Sequence, residues 1–65
     1  MAWLRIPISE IKLGDRLGIS GLVKSISDVE NEPNKIRVRF ELDGAYIFNK
    51  SEIVNIYRLY NNYPQ

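Results

Sequence analysis

From Lys35 to Leu42 apolar and charged residues alternate without a break, and Asp43-Gly44 follows at once. Successive side chains on a strand point to opposite faces, so this run reads as a strand with one face in a core and the other in water. Asp-Gly accepts the positive φ values of a tight two-residue turn, which predicts that the next strand folds straight back. Ile36, Val38, Phe40 and Leu42 then face inward, and Lys35, Arg37, Arg39 and Glu41 form a charged outer row.

The rest of the chain punctuates into short extended pieces. Residues 1–8 form an extended N-terminal segment, because Pro7 lacks an amide donor and biases its predecessor away from the helical region. Ser9 to Leu13 is expected to turn without forming a helix, since Gly14-Asp15 stops it too early. A strand is expected from Arg16. It changes face between Gly21 and Ser25, where the apolar parity shifts from Leu17 and Ile19 to Leu22, Val23 and Ile26, the signature of a bulge or a sharp bend. The polar stretch Asp28 to Asn34 reads as a loop. Ala45 to Phe48 is a short strand, Asn49 to Glu52 a 3₁₀ turn, and Ile53 to Tyr57 a last strand with Val54 and Ile56 on one face. Residues 61–65 read as a flexible polar tail.

Five short strands cannot bury their faces as a flat sheet, so the expected fold is all-β, a single five-stranded barrel domain over residues 1–65 with one short 3₁₀ turn. Sixty-five residues bury only about 60% of the surface of the unfolded chain. With no cysteine and no histidine, neither disulfides nor soft metal ligands supplement that core. No apolar run reaches the roughly 20 residues of a membrane helix, and Ala2-Trp3-Leu4 is too short for a signal-peptide core. A cytoplasmic protein without a membrane partner is the expectation.

The order of elements resembles the SH3-like small-barrel superfamily over residues 9 to 58. Ile11-Lys12-Leu13-Gly14-Asp15-Arg16-Leu17 is similar to the segment leading into the first barrel strand of such modules. Gly21-Leu22-Val23 is similar to their second strand, Asp43-Gly44 to the distal hairpin, and Asn49 to Glu52 to the 3₁₀ turn. Val38-Arg39-Phe40-Glu41, with Phe48 and Glu52-Ile53-Val54, is also similar to the C-terminal half of PsaE- and NdhS-type subunits. The glycine- and asparagine-rich insertion of those subunits is missing here, which argues against a photosynthetic role. Peptide-binding SH3 domains carry a tryptophan at the start of the third strand and an acidic first loop, and this chain has neither. The resemblance implies a binding module and leaves its ligand open.

Catalysis is not expected, because without His or Cys the remaining acid–base candidates are carboxylates, lysines and tyrosines, and a barrel this small has little room for a dry pocket around them. No cofactor and no metal is expected. Asp28, Glu30 and Glu32 lack the ordered spacing of a calcium loop, and the glycines Gly14, Gly18 and Gly21 match no phosphate-binding spacing.

Two surfaces remain. Trp3 with Tyr57, Tyr60 and Tyr63 combines apolar bodies with polar tips, which suits a partly dry protein interface. Arg37 and Arg39, on one face of one strand, can grip an acidic surface. The leading expectation is a non-enzymatic module that docks on a protein partner, or self-associates, as a small accessory subunit. The alternative is nucleic-acid binding through Lys24, Lys35, Arg37 and Arg39. Glu41 in the same row and a formal net charge of only +1 weigh against it. A small phage-type protein binding a host factor or signalling nucleotide is a third reading.

Overall fold

The computed structural model describes residues 2–58. Five strands follow one another: β1 (Ala2–Pro7), β2 (Val23–Val29), β3 (Glu32–Phe40), β4 (Gly44–Asn49) and β5 (Ile53–Arg58). They form two antiparallel sheets, a ribbon of β1 with β5 and a meander in the order β2-β3-β4. The protein is all-β, as the alternation predicts. The expected closed barrel is not what the strand pairing draws. The sheets stay separate, and beyond the named strands isolated bridges join Arg16 to Leu22 and to Tyr57.

The core lies on the inner faces. Ile36, Val38 and Phe40 of β3 are buried with Val23 and Ile56, while Ile8 and Ile11 cover them from the connection after β1. Leu4, Ile6, Val54 and Phe48 pack against this cluster. Each fully buried Ile, Val or Phe contributes about 1.5 to 3 kcal/mol, which in a chain without disulfides carries the fold. The bulge expected between Gly21 and Ser25 is present as a register shift between Val23 and Ser25.

Four local expectations are corrected. β3 ends at Phe40, not Leu42, because Phe40 pairs with Gly44 across a three-residue loop, 41–43. In that loop the Glu41 amide donates to the Leu22 carbonyl at 2.8 Å and the Leu42 amide to Ser20 at 3.2 Å. These bonds pull the chain off the strand line and leave Leu42 68% exposed. Secondly, the segment from Asp28 to Asn34 is no open loop. β2 runs through Val29, Glu30-Asn31 makes a tight turn with Asn31 at φ 65°, and β3 begins at Glu32. Thirdly, the strand expected from Arg16 reduces to its bridges, because a 3₁₀ turn over Gly18–Ser20 follows. Fourthly, Asn49 to Glu52 closes as a simple turn with the Glu52 amide on the Asn49 carbonyl. The 3₁₀ turns are at Ile8–Glu10 and Gly18–Ser20.

Candidate protein-docking site

In the β1–β5 register Trp3 lies opposite Tyr57, Arg5 opposite Asn55 and Pro7 opposite Ile53. Side-chain alternation puts Leu4, Ile6, Val54 and Ile56 in the core, so Trp3, Arg5, Ile53 and Tyr57 share the outer face. The Trp3 and Tyr57 rings meet with centroids 4.9 Å apart and planes inclined at 58°. Such a pair contributes about 0.5 to 1.5 kcal/mol beyond its buried area. Even so, Trp3 remains 66% exposed.

Tyr57 also lines a cleft of about 280 Å³ with Gly14, Arg16 and Leu22. Arg16 is fixed there by its main chain, since its amide donates to the Tyr57 carbonyl at 3.0 Å and accepts the Tyr57 amide on its own carbonyl at 2.9 Å. Beneath the cleft wall, Asp15 is buried at 2% exposure. Arg58 closes on it with two contacts, Nε to Oδ1 at 2.8 Å and Nη2 to Oδ2 at 2.7 Å. The Lys12 amide donates to Oδ2 at 2.8 Å. Paired and fork-bonded, this carboxylate is held in place and anchors both walls of the cleft. The patch therefore combines two rings in tilted contact, one cleft and two exposed arginines, Arg5 and Arg16.

Tyr60 and Tyr63 lie outside the described residues. Arg37 and Arg39 lie on the other sheet, so no strand pairing unites them with Trp3. Arg37 is opposite Ser27 and Ile47, Arg39 opposite Ser25 and Ala45. Both are exposed, and neither forms an ion pair among the described residues. Lys35 donates to Asn49 Oδ1 at 3.1 Å. Lys24 is the extra residue of the bulge and is exposed. Glu41 does not share this row, because the loop carries it away toward Gly21.

A larger hollow of about 420 Å³ sits at the β2–β3 tip, lined by Asp28, Val29, Asn31, Glu32, Pro33 and Lys50. It is open to solvent, and its Lys50–Asp28 contact at 4.0 Å joins two exposed side chains, which holds little energy. We therefore place the site at the smaller cleft. Among the described residues no three carboxylates converge to hold a metal ion, and no helix is long and apolar enough to cross a membrane.

Sequence reasoning missed Gly14, Arg16, Leu22 and the Asp15–Arg58 pair. Gly14-Asp15 reads locally as a turn, and nothing local signals a partner 43 residues further on. Comparison with family models, curated proteins and solved structures finds no match to this chain.

Proposed function

We propose that this chain is a non-catalytic docking module that seats on a protein partner through Trp3 and Tyr57, as a small cytoplasmic accessory subunit. One observation carries the reading: a tryptophan 66% exposed, yet pre-ordered by its tilted ring contact with Tyr57 at the lip of a cleft. Trp, Tyr and Arg are the residues that dominate interface energies, and a ring already held in place loses little freedom on binding. Arg5 and Arg16 beside it favour a partner with acidic groups around an apolar anchor. The same reading takes the fold as an open variant of the SH3-like barrel. The β2-β3-β4 meander, the β1–β5 ribbon and the bridges at Arg16 support it.

The test is nuclease-resistant capture of a partner, followed by calorimetry with the purified pair. Trp3→Ala is expected to weaken binding by about 30-fold or more, with an unchanged circular-dichroism spectrum. Unchanged affinity overturns the reading.

A second reading is nucleic-acid backbone binding by Lys35, Arg37 and Arg39, with Lys24. The departure of Glu41 from the row favours it, because the strip then carries no carboxylate between its cations. Affinity for single-stranded DNA or RNA should fall steeply with salt, and Arg37→Ala should lower the log–log salt slope by about 1. Absence of binding at low salt removes this reading.

A further inference from the structure

The two sheets have four edges, which differ in how they are protected: β5 is joined by the bridge from Arg16 to Tyr57. β1 carries Arg5 and Pro7. β2 is bulged at Lys24, and Val23 at its start exchanges main-chain hydrogen bonds with Gly14 and Asp15. Charge, proline, bulges and covering loops are the means by which edges avoid further pairing. Among the described residues β4 has none of them from Gly44 to Phe48. Gly44-Ala45-Tyr46-Ile47-Phe48-Asn49 is uncharged, free of proline and at the edge of its sheet, with Tyr46 47% and Ile47 52% exposed.

The main-chain groups free on that edge can be identified. The Lys50 amide donates to the Asn34 carbonyl at 2.8 Å, and the register places these two residues directly opposite. In an antiparallel pair, hydrogen-bonded and non-hydrogen-bonded positions alternate. Gly44, Tyr46 and Phe48 therefore bond toward β3, and Ala45, Ile47 and Asn49 direct their N–H and C=O groups outward. Asn49 is already satisfied, since its amide donates to Glu52 Oε2 at 3.0 Å and its carbonyl accepts the Glu52 amide at 2.9 Å. Among the described residues, what is left is one donor and one acceptor on each of Ala45 and Ile47.

We infer that β4 pairs with β4 of a second copy of this chain, antiparallel, about a two-fold axis through Tyr46. The free groups are self-complementary in that register alone. Ala45 faces Ile47 of the copy and Ile47 faces Ala45, so every outward donor meets an outward acceptor across the axis. Centring the axis on Ile47 would instead oppose Ala45 to Asn49, whose groups Glu52 already holds. No charge is desolvated. Tyr46 meets its own counterpart in the close, non-hydrogen-bonded position and extends the inner-face ring cluster, where its centroid lies 6.1 Å from Phe40 and 6.5 Å from Phe48. On the other face Ile47 covers Ala45 of the copy. The contact is isologous and closes at two subunits, as most homo-oligomers do. It gives one six-stranded sheet and stands whether or not Trp3 docks a partner.

Sedimentation equilibrium of the full chain from about 1 μM to about 1 mM should show monomer and dimer only. Ile47→Lys places like charges across the axis, and Ile47→Pro removes an outward donor while sparing the ladder to β3. Each should raise the dissociation constant about tenfold or more. With no native cysteine, Tyr46→Cys should form a disulfide dimer on mild oxidation, because close-paired Cα atoms lie about 4.5 Å apart. Ile47→Cys should not, its counterpart lying about 9 Å away. A strict monomer over the whole range, a dimer indifferent to Ile47→Lys, or cross-linking at 47 in preference to 46 overturns the inference. A monomer would leave the edge to a strand of some other chain.

Discussion

Asp15 is buried, and Arg58 meets it with a two-pronged contact while Nη2 also approaches the Glu10 carbonyl at 3.4 Å. Removing one member of a buried ion pair strands the other charge away from water, which costs more than the pair itself contributes. Arg58→Ala is therefore expected to destabilise the protein by about 3 kcal/mol, read from urea unfolding. Against a total of about 3 to 10 kcal/mol for a chain of this length, that is a large share. Arg58→Lys should recover little, because an ammonium cannot make both contacts at once. Burial of Asp15 was not legible in the sequence. An Asp after Gly is ordinary turn chemistry, and its satisfying cation arrives only when the last strand docks. The parity of individual strands was legible. Ile36, Val38 and Phe40 are buried as alternation requires, and Val54 and Ile56 face the core while Ile53 and Tyr57 face out.

At the β3–β4 connection, Gly44 at φ +86° supplies the left-handed residue that closes a three-residue hairpin. Its partner in the loop's placement is Gly21, at φ +88° and ψ −157°, a region open essentially to glycine alone. A Cβ on Gly21 would lie 3.2 Å from Leu42 Cγ and 3.3 Å from Glu41 Oε1, whereas one on Gly44 would meet nothing within 4 Å. Gly21→Ala should cost about 2 to 3 kcal/mol and Gly44→Ala about 1 to 2 kcal/mol, compared by thermal unfolding. The reverse order would show that the contact of the 41–43 loop with Gly21 is unimportant. Alternation alone could not place the end of β3, since Leu42 continues the apolar parity and non-local bonds from Glu41 to Leu22 and from Leu42 to Ser20 remove it. The β2–β3 hairpin escaped for the opposite reason. Around Glu30-Asn31 the strands run past the core, so neither face is apolar and periodicity has nothing to register.

Strand content and the all-β class follow from local pattern, but how the sheets meet depends on pairings between distant segments. β1 with β5 and Arg16 with Tyr57 are such pairings, and they assemble the Trp3 site. Trp3 and Tyr57 were both visible as candidates. Their ring contact was not, because register between the first and last strands is set by the core they share rather than by any turn. That same ribbon puts Ala2 opposite Arg58, so the chain enters and leaves the described fold side by side. A circular permutant that joins residue 65 to residue 1 by a short linker and opens the chain between Glu30 and Asn31 should keep the native circular-dichroism spectrum and cooperative melting. Loss of cooperative melting would mean that the β2–β3 turn has to form before the ribbon can. If the permutant folds, the order in which the segments are synthesised carries no structural information, and the architecture is a circuit that can be cut at its tip.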